Sequence, residues 1–151
     1  LEEAKARGKS KLTFALIDYL LDDGKQVLLL ESDTSNPDVY KAHHQHENGM
    51  LVCKEIDLDI SDGWIELVNA ADEFPDHCLV KIPQPGEYRI AKYGSTLRET
   101  LAELNRNLVT FWVINRQRDS VELLRGFLNV FPDALIMSAG IRDTLNVGKF
   151  R

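Results

Sequence analysis

Phosphate-handling chemistry is written most clearly in Gly8-Lys9-Ser10. Glycine lets a backbone approach an anion closely, lysine carries the opposing charge, and a serine hydroxyl reaches Mg²⁺. These three residues end the phosphate-binding pattern G-x-x-x-x-G-K-[ST], whose loop presents backbone N–H groups to phosphate where a helix begins. The start of the pattern differs: Glu3 stands where it asks for glycine, and no other glycine precedes Gly8. Lys5, Arg7, Lys9 and Lys11 make the same stretch a basic pocket candidate.

The elements that must position such a site are legible as apolar runs and helical spacings. Residues 9–22 read as a helix, with Leu12, Ala15, Leu16, Tyr19 and Leu20 at helical spacing and Gly24 placed to end it. Val27-Leu28-Leu29-Leu30 reads as a strand buried on both faces. It is followed by the polar loop 31–37, and Asn36-Pro37-Asp38 is placed to start a short helix. Strands are expected over 51–56, 77–82, 108–114 and 134–137, with helices from Ser61 or Asp62, over 96–104 and over 120–130. Pro83-Gln84-Pro85-Gly86 opens an expected irregular region before Thr96. This alternation implies an α/β fold, a mostly parallel sheet with helices on both faces. Ligands in such sheets sit at the carboxyl ends of strands, which here supply Glu31-Ser32-Asp33, Lys81-Ile82-Pro83 and Asn115-Arg116.

Composition narrows the function classes. A chain of 151 residues with 44% hydrophobic content fits one domain, over 1–151. A net charge of −6 and a pI near 5.2 argue against direct nucleic-acid binding, which usually needs a basic face. The apolar runs are too short to span a bilayer, so no membrane association and a cytoplasmic location are expected. Cys53 and Cys78 lie in apolar stretches and read as buried thiols rather than a disulfide. With so little ahead of Gly8 to form an entry strand, and no closing element at 146–151, the domain is expected to be cut short at one or both ends.

Together, the strand-end residues resemble the deviant phosphate-loop ATPases of the ParA/MinD type. Within them the chain is most similar to the plasmid branch connected with conjugal transfer and mobilisation, the TraL and MobD proteins. Gly8, Lys9 and Ser10 match the end of that family's K-G-G-x-G-K-[ST] loop. Its signature lysine falls on Ala4, with Lys5 one place later, and Ala6 and Arg7 replace small residues of the loop. Glu31 and Asp33 match the spacing of the family's D-x-D, and residues 33–38 look like the plasmid branch in particular. An equally open reading is a polar loop with an Asx cap for the helix that follows. The family's acidic strand end before a proline turn is Lys81 here, which cannot coordinate a metal. Asn115 matches the asparagine facing adenine, or else simply ends a strand.

The resemblance implies a three-layer sandwich of the phosphate-loop NTPase kind, ATP rather than GTP, and Mg²⁺. Lys5, Gly8, Lys9, Ser10, Lys11, Asn115 and Arg116 would then hold the nucleotide. Ser10 and Asp33 would hold the metal, and Lys9, Glu31 and Asp33 would support a slow hydrolysis. It also implies a nucleotide-dependent homodimer, with Lys5 reaching the partner's site, and contacts with DNA-transfer or partition machinery. The altered early glycine and Lys81 favour an alternative, an interaction module that keeps the fold without binding nucleotide. A small-molecule or nucleotide kinase would need an arginine-rich lid. Arg89, Arg98, Arg116 and Arg118 are its candidates, but no lid is recognisable. His43, His44 and His46 invite a metal reading, although their spacing suits a solvated loop better.

Overall fold

The computed structural model describes residues 2–46, 48–83, 87–114 and 119–140. In chain order the elements are α1 (Glu2–Asp22), β1 (Val27–Glu31), α2 (Asp38–His43), β2 (Leu51–Glu55), α3 (Ser61–Glu73), β3 (His77–Lys81), α4 (Glu87–Glu103), β4 (Val109–Ile114), α5 (Asp119–Val130) and β5 (Leu135–Gly140). A short 3-10 helix, His44–His46, follows α2. The expected α/β alternation is present and every strand pairing is parallel.

Among the described residues the strands fall into two sheets. β2-β1-β3 form one three-stranded sheet and β4-β5 a two-stranded one. The guanidinium of Arg106, just ahead of β4, reaches the carbonyls of Asp76 (2.8 Å) and Pro75 (3.5 Å) just ahead of β3. Arg106 is aimed there because Asn105 closes α4 in the left-handed region, at φ 54°. The N–H of Arg106 returns to Leu101 and that of Asn105 to Ala102, which is a Schellman ending with Asn in the usual glycine place. Gly24 (φ 72°) closes α1 in the same way, through Lys25 N–H to Leu20 and Gly24 N–H to Leu21.

β1 is buried along its whole length, and its alternating side chains feed two cores. Leu28 and Leu30 face a core with Trp64 and Leu67 of α3, Ile90 and Leu97 of α4, and Phe127 of α5. Val27 and Leu29 face a smaller core with Ile17 of α1, Val39 of α2, and Leu51 and Cys53 of β2. Helices therefore cover both faces of this sheet. Glu31 shares the parity of Val27 and Leu29, which aims its side chain at α1 and α2.

Two helices differ from expectation. α1 starts at Glu2, well ahead of Lys9, because Glu2-Glu3-Ala4-Lys5-Ala6-Arg7 are all strong helix formers. Its buried stripe is Ser10, Thr13 and Ile17; of the expected Leu12–Leu20 set, Leu20 packs partly buried on the smaller core and Tyr19 is exposed. Helix α4 begins at Glu87, within the stretch expected to be irregular. Ile90, Tyr93, Leu97 and Leu101 carry its apolar stripe, interrupted by Gly94. A Cβ at Gly94 would press on the side chains of Val130 and Phe131, so glycine there lets α4 and α5 pack closely.

Candidate functional site

Ser10, Glu31, Asp38 and Lys81 meet at the carboxyl ends of β1 and β3. Glu31 and Lys81 are register partners on adjacent parallel strands, and that register brings their side chains side by side. The Lys81 ammonium lies 3.3 Å from Glu31 Oε2 and 2.6 Å from Asp38 Oδ1. Glu31 has no solvent exposure and Lys81 only 4%. Asp38 enters from the first turn of α2, and the Ser10 hydroxyl, on the inner stripe of α1, hydrogen-bonds to it. Glu31 Oε1 accepts the N–H of Asp33 at 3.1 Å. The Lys81 carbonyl accepts both the N–H (3.0 Å) and the hydroxyl (2.8 Å) of Ser32, so β1 and β3 stay tied beyond the last register pair.

The charges respond to this setting in opposite directions. Burial pushes the Glu31 carboxyl above its ordinary value, and the Lys81 ammonium and the Asp33 N–H offset only part of that. Burial acts the same way on Asp38, but hydrogen bonds from Lys81 and Ser10 outweigh it and hold that carboxyl below its ordinary value.

The expected site residues separate into several groups. Ser10 and Glu31 belong to the cluster. Asp33 is half-buried beside it and serves the turn, its Oδ1 accepting the Ser35 hydroxyl (2.8 Å) and the Asn36 N–H (3.2 Å). That is a turn within the loop and not a cap on α2, whose N-terminus has no side-chain cap hydrogen bond. Gly8 and Lys9 are half-buried and Lys11 is exposed, all on α1. Their backbones lie past the first turn of the helix, where N–H groups are ordinarily consumed by the helical ladder. Lys5 lies on α1 one turn before Lys9. Asn115, Arg116 and Arg118 lie outside the described residues. Asp38 was not singled out from the sequence; its place in the first turn after Pro37 is the only local hint it gives.

The resemblance implied Ser10 and Asp33 as holders of Mg²⁺; the Asp33 carboxylate is taken up by its own turn, and the cluster of Ser10, Glu31 and Asp38 does not fit the ion either. A divalent cation needs carboxylate and hydroxyl oxygens free to turn towards it. Here both carboxylates already hold one ammonium, and the Ser10 hydroxyl is engaged by Asp38.

Other candidates have structural partners. His43 and His44 lie on helical backbone rather than in a solvated loop. Their Nδ1 atoms meet the carbonyls of Val39 and Tyr40, and their rings pack on Phe14 and Tyr40. Among the described residues no group of three His, Cys, Asp or Glu side chains is placed to hold a metal. Arg89 pairs with Asp59, and Arg98 donates to the Val130 carbonyl. Trp64 donates to the Leu58 carbonyl from the core, and Cys53 and Cys78 are free thiols. No described helix is long and apolar enough to cross a membrane.

The chain is similar to Protein MobD of Acidithiobacillus ferrooxidans. The two are 51% identical over 128 residues, which is 84% of this chain and 55% of that protein. The chain thus spans about half the length of the relative it matches. No protein-family model matches it, and no solved structure does.

Proposed function

We propose that the chain serves plasmid mobilisation, or the related processes of conjugal transfer and partition, as a nucleotide-binding protein of the ParA/MinD type with weak or absent hydrolysis. The observation that carries this reading is the meeting of Ser10, from the Gly-Lys-Ser motif, with Glu31 and Asp38 at the sheet's carboxyl edge. Ligands of parallel α/β sheets are held at that edge. Similarity to a protein called MobD supports the mobilisation context. ATP is the proposed nucleotide, with Lys9 as its phosphate contact and Lys5 and Lys11 adding positive charge along α1. Nucleotide-dependent pairing of two copies is part of the same proposal. Weak turnover follows from Lys81, because phosphoryl transfer depends on charge poised for the transition state, and this ammonium is committed to two carboxylates.

A second reading, an interaction module that binds no nucleotide, is favoured by the helical backbone at Gly8-Lys9-Ser10. Thermal denaturation with ATP and with GTP, on the protein and its Lys9→Ala variant, separates the two. An ATP-dependent rise in melting temperature, lost in Lys9→Ala, supports the nucleotide reading. No rise with either nucleotide sinks it and leaves the module.

A further inference from the structure

We infer that Lys81 is the protein's own substitute for a divalent cation, and that Ser10, Glu31 and Asp38 accept Mg²⁺ or Mn²⁺ only when its ammonium is removed. Two carboxylates from different elements converge on one point, with the Ser10 hydroxyl from a third element bonded to one of them, and such oxygens are the donors hard cations select. That point holds a positive charge carried by the chain itself, with side-chain exposure of 2% at Lys81 and 0% at Glu31.

The burial is what makes the substitution exclusive. Water cannot reach Glu31 to screen it, so its charge is balanced from within the protein or not at all. Lysine brings three donors and no acceptor, and it spends two of them on Glu31 and Asp38. A divalent ion at the same point would face the ammonium at contact distance in a poorly screened site, where like charges repel strongly. The polypeptide thus supplies permanently, through one side chain, a charge that would otherwise depend on the metal concentration around it. The inference concerns the carboxylates and their counter-charge alone and holds whether or not nucleotide binds.

Melting temperatures of the full chain, its Lys81→Met variant and the Lys81→Met/Glu31→Gln double variant test this. Each is measured in EDTA, in millimolar MgCl₂ and in millimolar MnCl₂ at matched ionic strength. The wild-type protein is expected to give one melting temperature in all three. Lys81→Met is expected to melt lower in EDTA and to rise by about 4 °C or more with either metal. The double variant is expected to lose that rise. If Lys81→Met folds only with metal, the inference stands; if it responds to neither metal, or folds under no condition, it falls. Independently, wild-type protein titrated into Mn²⁺ should leave the free-ion paramagnetic resonance signal unchanged. A Glu31-dependent loss of that signal would overturn the inference without recourse to any lysine variant.

Discussion

Lys81 at the end of β3 and Asp38 at the start of α2 are joined by a 2.6 Å ion pair across 43 positions of sequence. The contact fixes a six-residue helix to the carboxyl edge of the sheet. The N-cap residue of that helix, Pro37, makes no side-chain cap hydrogen bond, so Asp38 does more for its placement than the N-cap does.

Removing the lysine should therefore be costly. Lys81→Ala leaves Glu31 with no counter-charge in a place water does not reach, and breaking a buried pair from one side costs about 3–5 kcal/mol. The double variant Lys81→Met/Glu31→Gln should recover part of the loss, since the fully buried charge goes with its partner and only the partly exposed Asp38 carboxylate is left without its ammonium. Urea unfolding midpoints decide it. A single variant as stable as the wild type would mean that the ion pair does not persist in solution.

Acidification should act in two opposed steps. Burial first, with Lys81 only partly offsetting it, raises Glu31 above its ordinary 4.5 in the folded chain. Its contribution to stability is full below 4.5 and is lost as pH rises through the folded value, so lowering pH through that range adds stability. Burial also pushes Asp38 upward, but Lys81 and Ser10 bring it below 3.8. Its contribution is present above 3.8 and is lost as pH falls through the lower folded value. Urea midpoints across both ranges should show the first step abolished in Glu31→Gln and the second abolished in Asp38→Asn. A step that survives its own substitution assigns that titration to another group.

How much of this was legible beforehand depends on the range of the forces involved. Val27–Leu30 declared itself as a strand because burial on both faces leaves an unbroken apolar run; Val109–Ile114 did so through its β-branched and aromatic residues, although Val109 itself is exposed. The inner face of α1 did not, since Leu12, Leu16 and Tyr19 ring the same helix that buries Thr13 and Ile17. Gly94 and the proline-rich run before it hid the first half of α4, because the need for a small residue lies in Val130 and Phe131 at the far end of α5. Ser10 and Glu31 were readable from local motif and strand-end position. Asp38 was not, and Lys81 showed only as a departure from a pattern, because their roles rest on contacts 43 and 50 positions apart.

Arg106 should prove a stabilising link between the two sheets. Its planar fork reaches two backbone carbonyls before β3 and approaches Cys78 Sγ at 3.7 Å. Arg106→Ala removes charge-assisted hydrogen bonds from a partly exposed position, for an expected loss of about 1–2 kcal/mol. Arg106→Lys should recover little, because one ammonium does not reproduce the fork. Equal unfolding midpoints for wild type, Ala and Lys variants would show that the side chain contributes nothing to joining the sheets.

The turn from β2 into α3 supplies the sharpest steric prediction. Gly63, in the first turn of α3, lies so close to the backbone that an added Cβ would overlap the carbonyl oxygen of Asp57. Backbone cannot swing away as a side chain can, and the same turn holds the Leu58 carbonyl that accepts the Trp64 indole at 2.9 Å. Gly63→Ala should thus displace the loop and loosen Trp64, at a cost of at least about 2 kcal/mol. Gly49→Ala is the matched control, since its added methyl meets nothing within 4 Å, and its change should stay within about 0.5 kcal/mol. Tryptophan fluorescence during urea unfolding reads both effects, through the midpoint and through the emission of the folded state. An unchanged midpoint and folded emission in Gly63→Ala would mean that α3 does not approach Asp57 this closely in solution.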